Sequence, residues 1–361
     1  MLKTKKRTKQ LARHDQGFTL IEVMIAVVIT AVIAAAAFTM LTTTSKSVRA
    51  NEQTVDMQQN ARIAMEIISR DIKLAGFGSP GVPIGNCTYP IMPSDNTPGG
   101  SDTGPDSVQL LVPTTRATAS GTINSWQLKD ATTSAGAAEI ILKDNAVTDM
   151  ESAGLVDGSY VSINGAFTAR VTAHDAGAHK LTVAIPAPVW FPANSQVYLL
   201  QCIRYQVVTN PATCGSNEPC LTRGVAGVLT GPSAEAPIVE GIADLQLAYG
   251  CDGCVSTING GNPDRVIDDQ NGSNSFDQGD FLSNKTPAQW DAAPLTPDKI
   301  QLVQASLVAS QPKADLGIGE TANATQGSAV MTVSSDHTLP ADPNHRRRLL
   351  TKTLETRNVG Y

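Results

Sequence analysis

A chain of 361 residues that is 41% hydrophobic but only 4% aromatic, with 29 Gly and 21 Pro, can bury a sizeable core and favours short strands and turns over a helix bundle. The first 17 residues hold six of the 27 Lys and Arg and one of the 33 acids, which leaves 21 bases against 32 acids, a net −11, in the remainder. Outside that leader and Arg346-Arg347-Arg348 there is no basic stripe interleaved with aromatics, which argues against direct binding of nucleic acid.

The basic leader carries Lys3, Lys5, Lys6, Arg7, Lys9 and Arg13 against Asp15. From Val23 to Ser45 there is no charge at all, which is roughly 30 Å of helix and about one hydrocarbon core. Positive residues stay on the cytoplasmic side of such a span, so everything after it is expected outside the cytoplasm. No small-x-small cleavage site follows at Thr42 to Ser47, so the span is expected to be retained rather than removed as a secretory signal.

From Phe18 to Ala75 neither Gly nor Pro interrupts the chain, and Gly76 and Gly78-Ser79-Pro80 then stop it. A single helix of about 87 Å is predicted. In its second half Ala61, Ala64, Met65, Ile68, Ile72 and Ala75 recur at three-and-four spacing, which makes one face to bury against a globular part. Residues 76–106, dense in Gly, Pro, Ser and Asp, read as an irregular loop. Strands are predicted at 107–112, 139–142, 160–163, 180–185, 196–200, 202–208, 238–249, 299–308, 328–333 and 349–354, most of them bounded by Gly, Pro, Asn or Asp.

All six cysteines, Cys87, Cys202, Cys214, Cys220, Cys251 and Cys254, fall in the exported part, where an even count points to disulfides. Short loops favour Cys214 with Cys220 and Cys251 with Cys254, leaving Cys87 with Cys202, although spacing alone leaves other pairings open. Cys251-Asp252-Gly253-Cys254 follows a strand pattern instead of opening a helix, so a structural bridge is favoured over a redox pair. The five histidines lack metal spacing, which disfavours zinc.

The stretch from Asp264 to Asp280 is rich in oxygen ligands, and Asp268, Asp269, Asn271, Asp277 and Asp280 are candidates for calcium. It departs from the EF-hand pattern, with Asn274 where the tight-turn Gly belongs, and a solvated acidic loop is the plainer reading. No nucleophile elbow, zinc helix, P-loop or dinucleotide fingerprint is present, and no catalytic residues or cofactors are expected.

Glu22 is the sharpest single residue. A carboxylate at the start of an apolar span costs several kcal/mol without a partner, unless it sits at the interface and is favoured by the helix N-terminus. The letters around it, Gly17-Phe18-Thr19-Leu20-Ile21-Glu22-Val23 behind a basic leader, closely resemble the class III leader shared by type IV prepilins and type II secretion pseudopilins. The resemblance implies cleavage after Gly17 by a prepilin peptidase, methylation of the new Phe18 amine, and pairing of Glu22 with the terminal amine of a neighbouring subunit.

Within that family the chain resembles PilW-type minor pilins, in the helix exit Arg70-Asp71-Ile72-Lys73-Leu74-Ala75-Gly76-Phe77, in Val239 to Gly250, and in the basic segment from Arg346 to Asn358. Residues from Ser79 to about Pro237 show no family pattern. The cysteine pair at Cys251 and the strand at Lys299, which lacks Arg, depart from it.

The resemblance implies an α+β pilin fold, with a long N-terminal helix packed on an antiparallel β-sheet and a loop-rich enlarged head. The parts would be a leader (1–17), a transmembrane and assembly half of the helix (18–45), an amphipathic half (46–75) and an exported head (76–361). It also implies a minor pilin that primes or caps pilus assembly, with adhesion, motility or DNA uptake downstream. Its expected partners are other minor pilins, the major pilin, the prepilin peptidase, the inner-membrane assembly platform and, before assembly, inner-membrane lipid. It would first sit in the inner membrane with a periplasmic head, then in the pilus at the cell surface. A type II secretion pseudopilin and a membrane-tethered periplasmic adhesin or binding protein are the alternatives.

Overall fold

The computed structural model describes residues 18–96, 102, 104–114, 116–117, 123–124, 126–131, 138–185, 190–215, 217–227, 234–255, 257–311, 330–334, 337–342 and 345–359. Two compact units divide between Glu52 and Gln53. One helix, α1 (Leu20–Leu74), runs through the division, close to the 18–75 that the absence of Gly and Pro predicts.

Within the first unit α1 carries its large apolar residues outward. Leu20, Ile21, Val27, Val28, Val32, Ile33, Phe38 and Leu41 are all exposed, which makes this stretch apolar and long enough to cross a membrane.

In the second unit the helix ends where Gly76 takes a left-handed φ of 82° and donates its N–H to the Leu111 carbonyl at 2.9 Å. A Cβ there would collide with the Asn358 backbone carbonyl, so glycine is required by both conformation and space. The strands follow in chain order: β1 (Ile91–Ser94), β2 (Ser107–Thr114), β3 (Arg116–Ala117), β4 (Ile123–Asn124), β5 (Trp126–Gln127), β6 (Glu139–Ile141), β7 (Tyr160–Ile163), β8 (Phe167–Asp175) and β9 (Lys180–Val183). Then come β10 (Gln196–Val208), β11 (Cys220–Val225), β12 (Ala236–Glu240), β13 (Ile242–Cys251), β14 (Ile300–Ser310), β15 (Met331–Thr332), β16 (Thr338–Leu339) and β17 (Arg347–Glu355). A short helix, α2 (Ala146–Ser152), lies between β6 and β7.

The larger sheet runs β1-β2-β10-β7-β8-β9-β6, with β11 and β5 also paired to β10 and β12 paired to β11. A second sheet runs β13-β14-β17, antiparallel throughout, in register from Ile242 opposite Ala309 and from Leu302 opposite Glu355. The architecture is a long N-terminal helix with antiparallel β-sheets, a mixed α+β fold.

Two strand predictions need correction. The segments predicted at 196–200 and 202–208 form one continuous strand, β10, because Gln201 is a polar residue without any turn-forming property. The segment predicted as one strand at 238–249 is two, β12 and β13, separated by Gly241 at φ 71°. The expected strand at 328–333 is seen as Met331–Thr332, its first two residues lying outside the described ones.

The second half of α1 buries Met57, Ala61, Ala64, Met65, Ile68 and Ile72 in one core with Val108, Leu110, Ile203 and Tyr205 from the large sheet and Leu245, Leu247, Val303 and Leu307 from the small one. Five of the six residues predicted from periodicity lie among these, and Ala75 joins the same core. A separate core gathers Leu128, just after β5, with Ile140, Met150, Ile163, Val171 and Leu181 from β6 to β9 and α2.

Candidate assembly site

At the start of α1 the Thr19 backbone N–H and Thr19 hydroxyl each donate to Glu22 Oε2 at 2.9 Å, and the Glu22 N–H donates back to the Thr19 hydroxyl at 3.3 Å. This is a capping box: Thr-x-x-Glu closes the orphan N–H groups of the first turn, and a carboxylate is favoured there by the helix dipole. The awkward acid of the span is thus also the N-terminal cap of the helix that it begins. Both of these bonds fall on Oε2. Phe18 precedes the cap with 87% of its surface exposed, and Gly17, the expected cleavage residue, lies outside the described residues.

Asp71 fastens the other half of the helix to the head. The Tyr205 hydroxyl donates to Asp71 Oδ2 at 2.6 Å, and Arg223 Nε donates to the same oxygen at 2.9 Å and to the Tyr205 oxygen at 3.0 Å. Asp71 is 3% exposed and Tyr205 fully buried. Burial, and then the Asp71 charge, hold the Tyr205 hydroxyl well above its usual pKa; for Arg223 burial opposes the charge, and Asp71 and Tyr205 together more than offset it, so that its pKa is raised. Asn60 Nδ2 to the Glu240 carbonyl at 3.2 Å and Asn358 Nδ2 to the Lys73 carbonyl at 3.3 Å add two further ties.

The cysteines pair as Cys87–Cys202, Cys214–Cys220 and Cys251–Cys254. The first bridge pins the irregular loop after α1 to the middle of β10, inside a small core with Ile84, Leu111 and Leu200. Cys251 is the last residue of β13, and no helix opens at the pair.

Each aspartate of the acidic loop receives backbone N–H groups. Asp268 accepts from Gly253, Cys254 and Val255, and Asp269 from Gly272, Ser273 and Asn274. Asp277 accepts from Gly279 and from the Asn271 side chain, and Asp280 from Gln270 and Asp277. Among the described residues these aspartates do not gather three ligand atoms around one point. Lys299 extends the same economy, donating to the carbonyls of Gly253, Gly261 and Pro294 at 2.7–2.9 Å and so holding the cysteine loop shut.

The Prokaryotic N-terminal methylation motif matches residues 12–38, and Type IV Pilus-assembly protein W matches residues 204–358. The chain is a type IV pilin-like protein with a PilW region. The first match contains Gly17, Phe18 and Glu22; the second runs from Arg204 in β10 to Asn358, the residue that ties the end of α1. Among solved structures the chain is similar to a type IV-like pilin from Thermus thermophilus, at 15% identity over 45% of this chain and 70% of that one, with a TM-score of 0.21, a likeness too slight to carry an argument. No curated protein matches the sequence.

The PilW region supplies Tyr205 and Arg223, the partners of Asp71 in the helix exit. Sequence reading singled out that exit but not its partners, which lie 134 and 152 residues away. The capping box was not read from the sequence, although Thr19-x-x-Glu22 carries its signature, and the apolar half of the helix with its methylation motif is that of a membrane-anchored, pilus-associated protein.

Proposed function

We propose that this chain is a minor pilin that is cut after Gly17, methylated on the Phe18 amine, and incorporated with other pilins where a pilus is primed or capped. The observation that carries this reading is the junction at Thr19 and Glu22: an acid capping a helix whose first half is apolar and exposed, inside the methylation motif, on a chain whose head matches PilW. In the inner membrane the capping box lowers the cost of the carboxylate by bonding it to its own helix terminus. In the filament a neighbour's terminal amine meets the same carboxylate at Oε1, and the apolar faces of neighbouring helices replace lipid around it.

The mechanism is assembly, with the prepilin peptidase, the assembly platform, the major pilin and other minor pilins as partners. A type II secretion pseudopilin would share this N-terminal chemistry, and the PilW match favours the pilus. Mass spectrometry of the N-terminus from cells should find a methylated Phe18; an intact Met1 would sink the proposal. Glu22→Ala should leave the protein membrane-bound and cleaved but abolish its recovery with other minor pilins. Undiminished recovery would refute the role given to Glu22.

A further inference from the structure

A second feature of the head has no place in helix assembly. Before β2, Asp95, Asp102 and Asp106 each place one oxygen within 4.8 Å of the others. Asp102 is 8% exposed and Asp106 only 4%. The loop is stitched to β13: the Asp106 N–H donates to the Leu245 carbonyl, and the Leu247 N–H donates to Asp106 Oδ2, both at 2.8 Å, while Gln246 Nε2 donates to the Gly104 carbonyl at 2.9 Å. Asp106 Oδ1 accepts from the Asn96 N–H at 3.1 Å, and Asp102 Oδ1 accepts from Asn96 Nδ2 and the Gly104 N–H at 3.3 and 3.2 Å. These donors fix the orientation of the Asp102 and Asp106 carboxylates; Asp102 Oδ1 already accepts two bonds, whereas the two Asp106 oxygens accept one each and keep a lone pair for a further ligand.

Two independent observations point to something missing from the centre. Tyr249, two residues along β13 from Leu247, is 2% exposed, lies within electrostatic reach of Asp106 and Asp95, and has a hydroxyl without a hydrogen-bond partner among the described residues. A buried hydroxyl does not ordinarily forgo a partner, and a ligand between it and the acids would supply one. The second observation is the charge balance. His337, 3% exposed, stands between Asp102 Oδ2 at 3.3 Å and Asp244 Oδ2 at 3.1 Å. Even as an imidazolium it brings one positive charge to two buried carboxylates, Asp102 and Asp244, and an uncompensated buried carboxylate is costly.

We propose that Asp95, Asp102 and Asp106 form a divalent-cation site, with calcium as the fitting ion, which ties the loop before β2 to strand β13. Three carboxylates in an irregular loop give the all-oxygen, charge-dense ligand set that calcium takes, with carbonyl or water oxygens completing its shell. Magnesium asks for a more regular octahedron, and softer metals ask for nitrogen or sulfur.

The test uses the full chain in detergent, stripped with chelator and titrated with calcium chloride by calorimetry while thermal unfolding is followed in parallel. Wild type should bind saturably and melt higher with calcium. Asp95→Asn should weaken binding tenfold or more while melting no lower than wild type in chelator, since it removes a mutually repelling charge; Asp106→Asn should weaken binding as well. The double variant Asp269→Asn and Asp277→Asn, in the separate acidic loop, should bind as wild type does. Absence of calcium binding by wild type overturns the proposal whatever the variants do. So does binding that survives Asp95→Asn and Asp106→Asn, and so does binding lost only in the double variant at Asp269 and Asp277, which would place the ion in the acidic loop.

Discussion

The head holds two cores that are built in opposite ways. One is assembled from distant parts of the chain: α1 from its middle onward, β1 and β2, the far end of β10, β11 to β14, and β17. The other is local, drawn from Trp126 to Leu199, where β7, β8 and β9 pair with sequence neighbours as a meander that β6 closes. The PilW match begins at Arg204 and leaves the whole local core outside it, together with the α1, β1 and β2 parts of the distant one. A core of sequence-local contacts can be enlarged or exchanged without disturbing the helix seat, because its loops close over short distances. The distant core has no such freedom, for it is the one that receives the helix.

If the two cores are separate, damage to one should stay there. The largest effect is expected from Leu181→Ala, which empties a fully buried position in β9 and should cost about 4 kcal/mol. Hydrogen exchange should then rise through 140–183 while β13 and β14 remain protected; loss of protection in β14 would show that the cores unfold as one. Next comes Asp71→Ala, which leaves Arg223 and the Tyr205 hydroxyl without their shared acceptor. Removing one member of a buried charged set costs about 3 kcal/mol, at the low end of the usual range because the Arg223 side chain is 29% exposed. Exchange should rise at the end of α1 and in β11 and stay unchanged in β8 and β9. An effect spread evenly over both regions would refute the idea that Asp71 serves the helix seat.

What could be read from sequence also divides between the two regions. The helix was legible almost to the residue, since nothing between Phe18 and Ala75 can break it, and its buried stripe followed from spacing alone. The disulfide pairs across short loops were legible for the same local reason. Strand β8 was missed although Phe167, Ala169 and Val171 alternate inward, because alanine marks a buried face weakly. Strand β11 was missed because Arg223 and Gly224 dilute its apolar pattern. The partners of Asp71 and the convergence of Asp95, Asp102 and Asp106 with Tyr249 and His337 depend on which strands meet, and no local periodicity encodes that.

Gln201 is where the two regions meet, and it gives the subtlest prediction. Along β10, alternation places Val197, Leu199, Gln201, Ile203 and Tyr205 on one face; the first two belong to the local core and the last two to the distant one. Between them Gln201, 9% exposed, donates through Nε2 to the Ala153 carbonyl at 2.7 Å and accepts from the Thr114 hydroxyl at 2.5 Å. A satisfied amide at that point interrupts what would otherwise be one apolar stripe, and the two cores fall on either side of it. Gln201→Leu removes the bonds to the Ala153 carbonyl and from the Thr114 hydroxyl, but it adds apolar burial, so the net cost should be only about 1 kcal/mol. The informative quantity is coupling. In the wild-type background Leu181→Ala and Asp71→Ala should add within about 0.5 kcal/mol, as distant sites do. With leucine at 201 the stripe is continuous, and the same pair should depart from additivity beyond that margin. Additivity that persists with leucine at 201 would mean that chain topology, and not the polar residue, keeps the two cores apart.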